Sequence, residues 1–364
     1  MIKLRTLFVL IAMVYGADSF AQNYWSYGVN PYYGGVFRYR EGMDQLELTN
    51  LYGVEVYANK LANGTKDWHK LYNYPQWGVS AGYYNYGVPD ELGQVALATT
   101  YLDFTAGKSK HKWRINIGTG LVYSDTTFEP VTNESNKAVS STISYVLRGT
   151  IHHEFMLSEH WYVNVNAAFR HFSNGRLNMP NNGMNFPVVG VGVRYQPQQV
   201  VLKESPERAI DTRWHYTLRG SISWRQVLEI DEPQKAYALT AYTSKQLTPY
   251  NSILLGIDFF RYDQESITKA NSVYRFKNNI PESHHLSADT DQLALTLGTE
   301  ILISKATVII QGGFYIHRPQ EYYATWYQRY GLKYNFTEHI FSQFSLKTHS
   351  RTADMVEFGV GFSI

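Results

Sequence analysis

The sequence has 364 residues and no cysteine, so disulfide bonds cannot stabilise the fold. Beyond the N-terminus, no apolar run approaches the ~20 residues that a membrane-spanning helix requires. The formal net charge is only +2, which gives no basic footprint for a nucleic-acid partner. These absences exclude a disulfide scaffold, a helical membrane protein and a nucleic-acid-binding protein.

Residues 1–21 have the organisation of a secretory signal peptide. Lys3 and Arg5 precede the apolar stretch "LFVLIAMV", and the small residues Ser19 and Ala21 follow it. Cleavage after Ala21 is expected, and it lowers the formal charge to about +1. An exported chain with 30 tyrosines leaves two options, a secreted soluble β-protein or a β-barrel of the bacterial outer membrane.

Several stretches alternate between apolar and polar residues with period two, which is typical of β-strands with two different faces. In residues 213–225, "RWHYTLRGSISWR", even positions are mostly aromatic or aliphatic and odd positions are polar. Residues 112–123 and 292–303 follow the same pattern. Trp and Tyr lie near the ends of these apolar stripes, where the aromatic girdles of a transmembrane barrel are expected. The pattern favours an all-β, transmembrane antiparallel β-barrel of the outer membrane.

Connection lengths support this fold, because outer-membrane barrels alternate short periplasmic turns with longer extracellular loops. Short connections are predicted near 157–160, 248–251, 304–306 and 337–339, and longer ones near 174–184, 226–233, 262–287 and 318–325. We expect about 16 strands (12 to 16), in either one wide barrel or two eight-stranded barrels. Residues 59–76 resist assignment.

The predicted division is a signal peptide at 1–21, a first barrel part at 22–196, a polar connector at 197–212 and a second set of strands at 213–364.

One strand carries polar residues on its otherwise apolar face. In residues 160–175, "HWYVNVNAAFRHFSNG", the odd positions from Val163 to Phe169 are apolar, but His171 and Ser173 continue the same face. Asn185 falls on that face in the next strand. Residues i and i+2 of a strand lie about 6.5 to 7 Å apart, so an imidazole can take the proton of the hydroxyl as general base. Turned toward lipid, unpaired polar groups cost about 1 to 3 kcal/mol each, so a function or mutual hydrogen bonding is expected.

The run "HFSNGRLNMPNNGMN", residues 171–185, resembles the signature of the outer-membrane lipid A 3-O-deacylase (PagL) family. The resemblance covers residues 30–196 in topology and about 15 residues in motif. It implies an eight-stranded barrel and a serine esterase that removes the ester-linked acyl chain at the 3 position of lipid A. It implies the following roles: Ser173 as nucleophile, His171 as base, Asn174 as oxyanion contributor, and Pro180, Asn181 and Gly183 as the loop motif.

Asn185 departs from the family's best-known form, which has a glutamate that orients the histidine. An amide can accept the imidazole N–H but cannot compensate the imidazolium charge, so slower catalysis is expected. The implied partner is lipid A, or lipopolysaccharide, of the outer leaflet, and neither a cofactor nor a metal is implied. The oligomeric state, the acyl position that is cut and the role of residues 197–364 stay open.

The alternative is a non-catalytic outer-membrane barrel, either a porin-like channel or a scaffold with a degenerate deacylase site. Four charged residues are predicted to face the barrel interior: Arg148, Arg170, Arg219 and Glu300. They form a lumenal network or line a pore, and the sequence pattern does not distinguish the two.

Overall fold

The computed structural model describes residues 24–37, 50–106, 112–228, 232–320, 324–350 and 352–364. The predicted signal peptide lies outside them. The described residues form 16 strands in two closed antiparallel barrels, β1–β8 and β9–β16. The predicted fold class is therefore confirmed, and the choice between one wide barrel and two eight-stranded barrels is decided in favour of two.

The first barrel contains β1 (Trp25–Gly34), β2 (Leu51–Leu61), β3 (Gln76–Asn85), β4 (Gln94–Ala106), β5 (Lys112–Ser124), β6 (Ile143–Met156), β7 (Trp161–Ser173) and β8 (Met184–Tyr195). The second contains β9 (Trp214–Arg225), β10 (Gln234–Thr248), β11 (Asn251–Tyr262), β12 (Asp291–Ile303), β13 (Ala306–His317), β14 (Trp326–Asn335), β15 (Ile340–His349) and β16 (Thr352–Ser363). Each barrel closes because its first and last strands pair, as in Tyr27 opposite Tyr195 and Leu218 opposite Phe362. Closure leaves no open sheet edge.

The connections between successive strands lie alternately at the two ends of the molecule. Residues 174–183 and 226–228 lie at what we call the long-loop end, and the turns 157–160 and 304–305 lie at the short-turn end. Because sequential strands run antiparallel, every second connection shares an end.

Two helices in these connections were not predicted from the sequence. The helix α1 (Asp67–Leu71) lies between β2 and β3, within the unassigned residues 59–76, and α2 (Gln264–Lys277) lies between β11 and β12. Asp263 caps α2 by accepting a hydrogen bond from the backbone N–H of Glu265 at 2.9 Å. Within the described ranges, neither helix has the length and apolarity to cross a bilayer.

The strands carry apolar side chains on their exposed outward face and polar side chains on their buried inward face, which is the inverse of a soluble protein. Large apolar residues on the outward face are exposed, for example Leu121 at 61% and Val360 at 68%, whereas Arg170 and Arg329 on the inward face are fully buried. A soluble protein keeps long apolar stripes away from water. These walls are instead suited to hydrocarbon, with the polar face of each strand turned to the interior.

A buried charge network fills the first lumen. Glu55 accepts ion pairs from Arg148 at 3.0 Å and Arg170 at 2.9 Å, and the Tyr84 hydroxyl donates to the same carboxylate at 2.6 Å. Burial of a carboxylate is tolerated because both of its oxygens are paired. The space left between this network and the side chains nearer the short-turn end is about 20 Å³.

The second lumen is filled in the same way. Arg329 bridges Asp258 at 2.6 Å and Glu357 at 2.8 Å, and Arg219 also pairs with Glu357 at 3.3 Å. Further toward the short-turn end, Lys333 pairs with Glu300 at 3.0 Å. Thus the inward charges predicted from the sequence, Arg148, Arg170, Arg219 and Glu300, form ion-pair networks.

An aromatic layer and a helix close the long-loop ends of the two lumens. In the first barrel, the ring of Phe186 lies 4.8 Å from Phe172 and 5.4 Å from Tyr84. In the second, Ile267 of α2 is fully buried in a cluster with Phe260 and other apolar residues.

The two barrels contact each other near the short-turn end. The Tyr72 hydroxyl donates to the Leu302 carbonyl at 3.1 Å, and its ring lies 6.4 Å from that of Tyr250. The connector between the barrels packs back on the first one, because the backbone N–H of Lys203 donates to the Asn63 carbonyl at 2.7 Å. A second contact, at the long-loop end, adjoins the site described next.

Candidate active site

His171 and Asn185 lie opposite each other on the paired strands β7 and β8 and project from the outward face. Their side chains meet at 2.6 Å, His171 Nδ1 to Asn185 Oδ1. An amide oxygen only accepts hydrogen bonds, so this contact is one in which His171 Nδ1–H donates to Asn185 Oδ1. Asn185, on the neighbouring strand, therefore orients the imidazole.

Ser173 is the last residue of β7 and shares the outward face with His171. It is only 7% exposed, because residues 174–183 fold over it. Its Oγ accepts hydrogen bonds from Asn181 Nδ2 at 3.0 Å and from the backbone N–H of Gly175 at 3.1 Å. The hydroxyl therefore lies beside two hydrogen-bond donors, on the face that also carries the imidazole.

The loop 174–183 is organised by the side chain of Asn174. Its Nδ2 donates to Ser140 Oγ at 3.1 Å, to Ser141 Oγ at 2.8 Å and to the Asn178 carbonyl at 3.0 Å, while its Oδ1 accepts from the Arg176 N–H at 2.9 Å. These contacts occupy the amide of Asn174. Its backbone N–H, in contrast, points to Asn181 Oδ1 at 3.3 Å, beside the serine.

Asn181 is in direct hydrogen-bond contact with Ser173, which the sequence did not predict. We predicted it only as part of the loop motif, together with Pro180 and Gly183, whereas its amide contacts the Ser173 hydroxyl directly. Seven residues of loop separate the two, and no strand or helix period indicates such a contact. The motif itself was the one signal that drew attention to Asn181.

Pro180 and Gly183 shape the return of the loop to β8. The Met179–Pro180 peptide bond is cis, and Gly183 has a positive φ of 74°, which favours glycine. The Gly183 N–H donates to the Ala138 carbonyl at 3.0 Å. The long connection between β5 and β6 therefore supports the loop from one side, and this connection also supplies Ser140 and Ser141, which the sequence analysis missed.

Taken together, the site has an oriented imidazole, a hydroxyl and a group of N–H donors on one outward patch. This composition suits acyl transfer, in which a hydroxyl attacks a carbonyl, a base takes its proton and N–H donors stabilise the oxyanion. In the part of the chain that the structure describes, no three or more His, Asp or Glu side chains are grouped so as to hold a metal ion.

Two family models match the chain. The model described as lipid A 3-O-deacylase (PagL) matches residues 52–194, and the model described as acyloxyacyl hydrolase, C-terminal domain, matches residues 213–364. The first includes every candidate site residue, and the second spans the whole second barrel. No curated protein matches.

Solved structures of a porin and of a hydrocarbon channel cover most of the chain, but their TM-scores are low. A triple mutant of the Rhodopseudomonas blastica porin is 9% identical, with 93% of this chain and 100% of the porin covered, at a TM-score of 0.18. A deletion mutant of the TodX monoaromatic hydrocarbon channel is 8% identical, with 96% and 91% covered, at a TM-score of 0.18. At such TM-scores these likenesses carry no argument about this chain.

Proposed function

The chain belongs to the lipid A 3-O-deacylase (PagL) family, and we propose that it is an esterase of the bacterial outer membrane that removes an ester-linked acyl chain from lipid A or a related glycolipid. The observation that carries the proposal is the 2.6 Å contact between His171 Nδ1 and Asn185 Oδ1 on the same outward face as Ser173. Both His171 and Ser173 lie on the outward face of β7 rather than on its lumenal face, and the loop 174–183 covers the serine.

In the proposed reaction, Ser173 Oγ attacks the ester carbonyl carbon while His171 Nε2 takes the hydroxyl proton. The oxyanion that forms accepts hydrogen bonds from the donors beside the serine. Collapse of this intermediate breaks the bond to the sugar oxygen, which leaves as an alcohol with the proton from His171. Water then attacks the acyl-enzyme with His171 again as base, which releases a fatty acid and regenerates the hydroxyl.

The oxyanion donors we propose are the N–H of Gly175 and the side-chain amide of Asn181, which lie 3.1 and 3.0 Å from Ser173 Oγ. The backbone N–H of Asn174 adjoins them. We therefore propose that Asn174 contributes to the oxyanion site through its main chain rather than through its side chain. When Oγ bonds to the carbonyl carbon, these donors turn from Oγ to the adjacent oxyanion and stabilise its charge.

Placement in the outer membrane explains the position of the site. An export signal at residues 1–21 and apolar outward walls suit this location. The long-loop end is then extracellular, so the serine lies at the level of the outer leaflet, which contains lipid A. Substrate reaches the wall by lateral diffusion, with its acyl chains alongside the apolar strands.

The alternative of a porin-like channel is less well supported by the geometry. Both lumens are crossed by buried ion pairs, such as Arg170 with Glu55 and Arg329 with Asp258. A scaffold without catalysis stays compatible with the fold, but it gives no reason for an oriented imidazole on the same outward face as a hydroxyl.

Mass spectrometry of lipid A from outer membranes tests the proposal. Membranes containing the wild-type chain should have lipid A that lacks one hydroxyacyl group, and membranes containing Ser173→Ala should not. Ser158→Ala makes the same chemical change in the exposed turn between β6 and β7 and should behave as wild type. Identical acylation with wild type and Ser173→Ala would end the esterase proposal.

A further inference from the structure

Gln226 is a residue of the second barrel that contacts the loop covering Ser173 in the first. It directly follows β9 at the long-loop end and is only 5% exposed. No sequence pattern relates it to the candidate site, from which it is separated by more than forty residues.

Three hydrogen bonds join Gln226 to the loop 174–183. The Gln226 backbone N–H donates to the Arg176 carbonyl at 3.0 Å, and Arg176 Nε donates to the Gln226 carbonyl at 3.2 Å. The Met179 backbone N–H donates to Gln226 Oε1. One residue of the second barrel therefore satisfies main-chain groups at two points of the loop.

The two points lie between Ser173 and Asn181, which are the groups that the loop must bring together. The first barrel holds other parts of the loop, through Asn174 at its start and through Gly183 at its end. Arg176 and Met179 lie in the middle of the loop, and both are hydrogen-bonded to Gln226. The path of the chain from the serine to the Asn181 amide thus depends on both barrels.

Packing at the same place supports the contact. Val356 projects from the outward face of β16 yet is only 1% exposed, and a Cβ atom on Gly175 would lie 2.2 Å from Val356 Cγ2. Tyr145, which is paired with Ser173 across the strands, has its ring 6.5 Å from that of Phe344. Val356, which would otherwise face lipid, is buried where the second barrel packs against the loop.

We propose that Gln226 is a positioning residue for the active site, and that one role of the second barrel is to hold the loop 174–183 so that Asn181 and the Gly175 N–H stay on Ser173. The expected effect on catalysis rests on the proposed esterase function, whereas the expected effect on the position of the loop does not. It gives residues 213–364 a part in the reaction without a catalytic group of their own.

The test compares Gln226→Ala, Gln226→Glu and a control in the purified full-length protein in detergent. Alanine removes the acceptor of the Met179 N–H, whereas glutamate keeps an acceptor of the same length. Gln246→Ala is the matched control, because Gln246 Oε1 likewise accepts a backbone N–H, that of Asp211 at 3.0 Å, but at the short-turn end.

With lipid A as substrate, Gln226→Ala should lower kcat about 10- to 100-fold, because small displacements of positioning groups have effects of that size. KM should stay within about threefold, since the apolar walls that contact the acyl chains are unchanged. Gln226→Glu should restore most of kcat, and Gln246→Ala should match wild type. A kcat for Gln226→Ala equal to that of wild type would overturn the positioning role.

Hydrogen exchange measured by mass spectrometry gives a readout that needs no activity. Peptides from residues 174–183 should exchange faster in Gln226→Ala than in wild type, and at the wild-type rate in Gln246→Ala. Unchanged exchange in Gln226→Ala would refute the inference even in an inactive protein. Absence of deacylation by the wild type, together with faster exchange in Gln226→Ala, would instead refute the proposed function and leave the structural role of Gln226 standing.

Discussion

Replacement of Asn185 by aspartate should accelerate the proposed reaction. The substitution changes an amide for a carboxylate of the same shape at the atom that lies 2.6 Å from His171 Nδ1. The hydrogen bond and the tautomer of the ring are kept. A negative charge is added next to the imidazolium that forms when Ser173 attacks, so the transition state is stabilised more than the ground state.

The size of the effect follows from the geometry. Unit charges about 4 Å apart attract by about 4 kcal/mol at an effective dielectric constant of 20. Part of this attraction is offset by the cost of holding a carboxylate away from water in a lipid-facing wall. A net gain of about 1.4 to 2.7 kcal/mol remains, which corresponds to a rise of about 10- to 100-fold in kcat.

The assay is release of fatty acid from lipid A in mixed micelles, with kcat and KM measured for wild type, Asn185→Asp and Asn185→Ala. Alanine removes the orienting contact and should lower kcat by about 10-fold or more. Asn335→Asp adds the same charge at the short-turn end of the second barrel, where Asn335 is hydrogen-bonded to the Lys305 carbonyl, and should have no effect. If Asn185→Asp and Asn185→Ala both matched wild type, Asn185 would not orient the base.

Three further outcomes follow from the structure. Gly175→Val should lower kcat at least 10-fold, because the residue has a φ of +67° and its Cβ would collide with Val356; activity at the wild-type level would show that the barrels do not pack there. Glu55→Gln should lower the free energy of unfolding in urea by about 3 to 5 kcal/mol, because two buried arginines lose their counter-charge; an unchanged midpoint would contradict the network. Planar bilayers should show no stable conductance, since ion pairs cross both lumens, and steady channels would revive the porin-like alternative.

The sequence was sufficient for those parts of the structure that depend on period two. Alternation predicted the strands and their outward faces, and the two polar interruptions, His171 and Ser173, lie on the outward face as their parity indicates. A strand fixes the direction of every side chain once one face is known. The charges on the inward face could be identified but not paired, because pairing depends on which strands lie across the lumen from each other.

The loops and the contact between the barrels required the structure. Asn181, Ser140 and Gln226 reach the site from three connections that have no regular period, and their distances depend on how those connections fold together. The helix α2 was missed for a related reason, because its residues are mostly polar and only a few of them, such as Ile267, are buried. Sequence motifs can mark such loops, as with Pro180 and Asn181, but they do not show which atoms meet.

The most direct test of the account is whether Ser173 is a nucleophile that lipid-like reagents reach from the membrane. Purified protein in detergent should be incubated with a long-chain alkyl fluorophosphonate and its intact mass and modified peptide determined. One adduct is expected, on Ser173, formed rapidly in wild type and far more slowly in His171→Ala. No adduct on Ser173, or equal rates in the two proteins, would contradict it.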